Sequence, residues 1–244
     1  MDSKRYSRKT SKDKLQFHFI DHRSVLVRRL GDSDPILQLN KITNLKIAAK
    51  KLNGILIRPG ETFSFWRLVG KTSRTKGYLD GLCLLQGKAI PGTGGGLCQL
   101  SNLIYWMVLH TPLTVIERHR HSFDPFPDSD RVIPFGTGAT VFYNYVDLQF
   151  YNPTSHTFQI LISFDDTYIK GDILCDAPLT TTYRVFERNH RFIKKNGKSY
   201  RSNEIWREVF QDGVKLYEDI LFTNFCEVKY RLDESLVTVI TVEA

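Results

Sequence analysis

The chain has 244 residues, 41% hydrophobic and 12% aromatic, with a formal net charge of +8. That apolar content at that length supports a folded soluble protein and excludes a disordered or fibrous chain. The positive balance favours anionic surroundings, yet no helix carries basic and base-reading residues on one face, so nucleic acid is not expected as a partner.

Residues 1–22 contain the basic run Lys4–Lys14, which offers little to bury, and are expected to form a disordered arm. Met1 to Lys9 leads into no apolar stretch of signal-peptide length, and no later run is long enough to cross a bilayer. The expected location is therefore cytoplasmic, with the basic arm available for peripheral contact with an anionic membrane. Asp34-Pro35 then predicts a helix start, with Asp34 as cap and Pro35 in the first helical position. Leu45, Ala49 and Leu52 continue it at three-to-four spacing, and Asn53-Gly54 supplies the stop.

Pro59-Gly60 fits the centre of a type II turn. Thr62 to Val69 is aromatic-rich and expected to be extended, and Gly77 to Ile90 reads as short strands and turns. Pro91-Gly92-Thr93-Gly94-Gly95-Gly96 is too glycine-rich for regular structure. From Leu97 the pattern turns helical, with Leu97, Leu100, Ile104 and Val108 on one face and Pro112 as the close. Val115 to Ser122 reads as a strand, and Thr140 to Tyr151 as a strand or a hairpin bent near Asn144. Beyond Pro153 the chain reads as all-β, with strands at Phe158–Phe164, Tyr168–Leu174, Tyr183–Ile193 and Leu236–Val242. Lys195-Asn196-Gly197-Lys198 is a hairpin signature. Helix and strands do not alternate as in a parallel sheet, so the expected class is α+β and strand-rich. Residues 23–165 are assigned to a core and 166–244 to a β-rich C-terminal extension packed on it.

Cys98 is the residue best placed to carry chemistry. A thiolate rather than a thiol attacks carbonyl carbon, and a helix N-terminus supplies partial positive charge and unpaired amides that favour it. Gly94, Gly95 and Gly96 can turn amides toward one point, where they would hold an anion or the oxyanion of a tetrahedral intermediate. Gln99 is positioned to add a side-chain amide, and Ser101 shares the Cys98 side of the helix. The alternative is a tight turn beside a small buried cysteine. A phosphate-binding loop is the weaker rival, because Leu97-Cys98 stands where its lysine would be.

The base must come from elsewhere. Glu117, His119 and His121 share one face if their segment is a strand. Either imidazole could serve, and both could equally lie on a solvated face. His119 and His121 would also make half a metal site, completed by Asp124 or Cys98, but their spacing is not diagnostic. Neither a metal nor another cofactor is expected. The four cysteines (Cys83, Cys98, Cys175 and Cys226) contain no Cys-x-x-Cys pair, which argues against a zinc knuckle or a disulfide framework. Asp147 is the candidate third member, placed to orient an imidazole or to sit on the surface.

Several stretches together resemble the VanW family. They are Pro59-Gly60-Glu61-Thr62-Phe63-Ser64-Phe65, Val69-Gly70-Lys71-Thr72 and Gly94-Gly95-Gly96-Leu97-Cys98-Gln99-Leu100-Ser101. Glu117-Arg118-His119-Arg120-His121-Ser122 and Val146-Asp147-Leu148-Gln149-Phe150 complete the set. The resemblance runs from about Arg23 to about Tyr230. It implies a link to glycopeptide resistance and cysteine-dependent acyl transfer of the L,D-transpeptidase type. The substrate class it implies is peptidoglycan stem peptides or their precursors. It assigns the nucleophile to Cys98 and the base to His121, since His119 falls where the family motif varies. One departure is Gly138 before Ala139-Thr140, where many members carry an aspartate.

Overall fold

The computed structural model describes residues 4–27, 34–85, 88–120, 123–124, 127–128, 132–233, 235 and 237–239. Two compact units divide the chain. The first comprises residues 1–83, 89–119 and 138–180, and the second 84–88, 120–137 and 181–244. The architecture is α+β and strand-rich, with a β-rich C-terminal part. The hairpin of β10 (Phe158–Phe164) and β11 (Tyr168–Cys175) belongs to the first unit. The division therefore falls after Thr180 rather than at 165.

The first unit holds two four-stranded sheets. One runs β1 (Arg5–Tyr6), β4 (Glu61–Ser64), β9 (Gln149–Tyr151), β7 (Thr114–Glu117). The other runs β2 (Phe17–Val25), β11, β10, β3 (Ile55–Ile57). The expected disordered arm is corrected over its described part. Arg5 and Tyr6 pair in parallel with Glu61 and Thr62, Thr10 bridges Ile55, and most of β2 precedes residue 23. Backbone pairing orders this segment without much side-chain burial, a route that a composition argument misses. Its lysines Lys4, Lys9, Lys12 and Lys14 stay exposed.

Helix α1 (Pro35–Leu52) starts and stops as its residues dictate. Asp34 Oδ1 accepts the Ile36 amide at 2.9 Å, Pro35 is the first residue, and the Asn53 amide closes on Ala49. Residues 62–69 depart from the extended expectation, because the strand ends at Ser64 and a short helix α2 (Phe65–Val69) follows. Ser64 Oγ accepts the Arg67 amide at 3.3 Å, a cap that contributes about 1 kcal/mol. The aromatic content of that stretch masked the cap. Strands β5 (Asp80–Leu85) and β6 (Lys88–Thr93) pair ahead of α3 (Cys98–Val108). Helix α3 packs on β2 and β11, where Gly171 leaves room for Met107. Phe63 and Phe150, both fully buried, stack at 4.4 Å in the first sheet.

The second unit is a five-stranded sheet in the order β15 (Val237–Val239), β12 (Thr181–Lys195), β13 (Lys198–Gln211), β14 (Val214–Val228), β8 (Phe123–Asp124). Its two tight turns, Asn196-Gly197 and Asp212-Gly213, have both central residues in the left-handed region, as a type I′ hairpin requires. Among its described residues the most buried charges are Arg201 and Asp124, each 3% exposed. The guanidinium bonds to Asp124, Asp128 and His190 and lies 4.2 Å over the Phe135 ring. Asp124 thus serves the second unit's core. Among the described residues, no helix is long and apolar enough to cross a membrane.

Candidate functional site

The glycine run has a packing explanation at each position. Gly94 and Gly96 have φ of 80° and 93°, the left-handed region that favours glycine. A Cβ on Gly96 would collide with the Lys41 stem, and one on Gly95 with the Gly81 backbone. Asn44 clamps the turn from α1, donating to the carbonyls of Gly95 at 2.9 Å and Leu79 at 3.0 Å while accepting the Leu79 amide. The turn is thus locked against α1 and β5, and it delivers Cys98 to the first position of α3.

The amides of the turn are unequal. Gly94 donates to Leu79 and Gly95 to Gly92, while Gln99, Leu100 and Ser101 donate to the Gly96 and Leu97 carbonyls. Gly94, Gly95 and Gln99 therefore have no backbone donor left for an oxyanion. The Gly96 and Leu97 amides have no hydrogen-bond acceptor among the described residues. The turn consequently leaves fewer backbone donors open than the glycine run suggests.

Gln99 and Ser101 serve the scaffold. Gln99 Nε2 donates to Ser24 Oγ at 3.0 Å and to the Val25 carbonyl at 2.7 Å, which ties α3 to β2. Ser101 is fully buried, and its Oγ donates to the Ala139 carbonyl at 2.6 Å. Ser101 therefore does not point toward open space. Residues 138–141 form a strap across the start of α3. Asn102 accepts the Ala139 amide at 2.6 Å, Arg118 Nε donates to Gly138 at 2.8 Å, and the Thr140 amide donates to His119 at 2.8 Å. Cys98 Sγ lies 3.8 Å from the Val141 carbonyl, at the end of this strap.

Burial pushes the Cys98 thiol above its ordinary range, and the backbone of Val141 and of Cys98 itself offsets this only in part. This runs against the expectation of a depressed value, because desolvation by burial is the largest influence on the thiol. Cys83 lies near enough for a Cys98 thiolate to raise its pKa, after the larger effect of its own burial. Pairing of β5 with β6 creates this proximity. Gly92 lies against the Cys83 side chain, where a Cβ would meet Sγ at 2.8 Å. A glycine two residues before the glycine turn was the available signal.

The histidine segment is only partly described, and His121 lies outside the described residues. Strand β7 ends at Glu117 after a bulge, and His119 joins the fold through its bridge to Thr140. His119 Nε2 lies 3.3 Å from Glu117 Oε1, so Glu117 and His119 do share a face. Asp147 holds the scaffold together: Ser64 Oγ donates to its Oδ2 at 2.5 Å, and the Trp66 and Leu148 amides donate to Oδ1. Among the described residues no imidazole reaches it. Burial raises the Asp147 pKa, the Ser64, Trp66 and Leu148 donors oppose that, and the nearby Glu117 adds to it. The carboxylate beside His119 is Glu117, which the sequence placed on the same face without assigning it a role.

Comparison with known proteins follows the same landmarks. The family model described as VanW like protein matches residues 40–174, from α1 to the end of β11. The chain is 40% identical over 205 residues to "Vancomycin B-type resistance protein VanW" of Enterococcus faecalis (strain ATCC 700802 / V583), covering 83% of this chain and 74% of that one. It is 33% identical over 109 residues to "Uncharacterized protein YoaR" of Bacillus subtilis (strain 168), covering 45% of this chain and 34% of that protein. No solved structure matches. With its glycine turn, Cys98 and strap all inside the matched region, the chain belongs to the VanW family.

Proposed function

We propose that this VanW-family protein is linked to vancomycin resistance and acts on peptidoglycan or its precursor peptides by cysteine-dependent acyl transfer. The observation that carries this reading is the placement of Cys98. Cys98 opens the first turn of α3 directly after Gly96 and Leu97, whose amides no other group of the described chain uses. In the reaction, Sγ attacks an amide or ester carbonyl, and the oxyanion is held by those two amides. A histidine takes the thiol proton and returns it to the leaving amine. Water or a second amine then releases the acyl group, and the thiol is restored. His121 is the proposed base, and His119, held by Glu117, is its rival. Exposed lysines of residues 4–14 suit peripheral contact with an anionic membrane from the cytoplasmic side.

A specific observation favours a second reading, a protein that binds a wall precursor without turnover. The Cys98 thiol is raised rather than depressed, and Gln99 and Ser101 are committed to the scaffold. Intact-protein mass spectrometry after incubation with stem peptides or a carbapenem separates the two. An adduct mapped to Cys98 and absent from Cys98→Ala supports the acyl-enzyme. Stem-peptide binding without any adduct supports the binding protein. For an enzyme, His121→Ala should lower turnover at least roughly a hundredfold. A larger loss in His119→Ala would move the base to the Glu117 pair.

A further inference from the structure

A second cluster of reactive side chains stands apart from the Cys98 turn. The register of the β10–β11 hairpin pairs Phe158 with Cys175, which brings the residues before β10 beside those after β11. His156, Cys175 and Asp176 meet there, with one ligand atom from each all within 4.8 Å of one another. His156 Nδ1 lies 3.2 Å from Asp176 Oδ1, and Cys175 Sγ lies 3.8 Å from the same oxygen. Imidazole, thiol and carboxylate thus converge on one point.

The surroundings hold these groups in place. The Thr157 amide donates to Asp176 Oδ2 at 2.8 Å, which leaves Oδ1 turned to the imidazole and the sulfur. The Asp176 amide returns a bond to the Thr157 carbonyl. Asn152, fully buried, donates to the His156 carbonyl at 2.7 Å, and its Oδ1 accepts from both the amide and the hydroxyl of Thr154. The Thr154 hydroxyl in turn accepts the His156 amide at 3.1 Å. Outer-shell partners of this kind fix ligand orientation in metal sites. Cys175 is buried, whereas His156 and Asp176 are each partly exposed, so the cluster has a buried side and a solvent-facing side.

We propose that His156, Cys175 and Asp176 bind one zinc-like divalent cation. Nitrogen, thiolate sulfur and carboxylate oxygen are the donors that zinc prefers. In a tetrahedral site with bonds of 2.0–2.3 Å, ligand atoms lie about 3.5 Å apart. The present separations need about one ångström of side-chain movement to reach that. On binding, the thiol gives its proton to solvent as the sulfur–metal bond forms, and three protein ligands leave one position for water. The expectation that no metal is bound rested on His119 and His121. This cluster could not be read from spacing, because the turn before β10 supplies one ligand and the end of β11 the other two.

The test uses the whole chain, stripped with a chelator and titrated with cobalt(II), then zinc(II). The expected result is one equivalent of cobalt with a thiolate-to-cobalt charge-transfer band, bleached by zinc. The band persists in a Cys83→Ser, Cys98→Ser double variant and disappears in Cys175→Ser. Because Cys175 is buried, its variant is paired with His156→Ala and Asp176→Asn, which alter partly exposed groups. Each should weaken cobalt binding at least about tenfold while circular dichroism stays unchanged. Absence of a thiolate band in the unaltered chain, a band that follows Cys98 or Cys83, or unchanged affinity in folded His156→Ala would overturn the proposal.

Discussion

Gly95 and Gly81 meet backbone to backbone: a Cβ on Gly95 would lie 2.3 Å from the carbonyl carbon of Gly81. Backbone cannot move aside as a flexible side-chain end can. Gly95→Ala should therefore destabilise the first unit by about 1–3 kcal/mol, the scale of overpacking. Thermal unfolding measures the loss. A variant with unchanged stability would show that the turn and β5 can part freely, and the rigid delivery of Cys98 would no longer hold.

Ser101 is the next discriminating position. Its hydroxyl is the donor for the Ala139 carbonyl, so Ser101→Ala leaves a buried acceptor unpaired and should cost about 1–3 kcal/mol. If Ser101 serves only the strap, any loss of activity should track the loss of folded protein. A kcat decrease at full folding would instead return Ser101 to the substrate-contacting role expected from its place on the helix.

Cys98 reactivity can be followed without knowing the substrate. The raised thiol predicts slow iodoacetamide labelling at neutral pH, climbing only above the free-thiol value of ~8.5. Peptide mapping across a pH series reads Cys98 and Cys83 together. Cys98→Ala should shift the Cys83 titration downward, because it removes the neighbouring thiolate while leaving Cys83 burial in place. Rapid labelling of Cys98 near pH 7 would show that the imidazole segment or a local opening lowers its pKa in solution.

Asp147 makes a prediction about pH and stability. Its folded pKa is raised, so the fold prefers the protonated carboxyl. That preference contributes stability below the ordinary carboxylate value and is lost as pH rises through the folded value. Asp147→Asn mimics the protonated form. Its melting temperature relative to the parent should therefore improve between about pH 4 and pH 7. A relative stability that worsens over that window would show that the ionised carboxylate is the preferred form.

In the second unit, Arg201 carries the largest expected effect on stability. Two aspartates and His190 would lose a buried partner in Arg201→Ala. Removing one member of such a pair costs about 3–5 kcal/mol. Denaturant unfolding monitored at Trp206 on β13 should report it. A loss under about 1 kcal/mol would mean that water replaces the guanidinium there.

Much of the local structure is written in adjacent residues. Asp34-Pro35 and Asn53-Gly54 bound α1, Asn196-Gly197 makes a type I′ turn, and Asn144, at a φ of 65°, bends the hairpin where expected. Strand β10 covers Phe158–Phe164 as its alternation requires. The family was also legible, because its glycine–cysteine–glutamine stretch and the ordered motifs around it are sequence properties. These features depend on a few consecutive side chains acting on their own backbone.

Pairings across the chain followed a different logic. Arg5 and Tyr6 are ordered because Glu61 and Thr62 offer a strand edge, although the arm's composition reads as disordered. Asp147 faces Ser64 and Trp66, separated from it by more than eighty positions in the chain, so its carboxylate serves the scaffold. Tertiary packing likewise brings Cys83 toward Cys98, and the β10–β11 register joins His156 to Cys175 and Asp176. The physical reason is common to all four. Desolvation, partner choice and convergence of side chains depend on which strands lie side by side, and only the tertiary fold decided that.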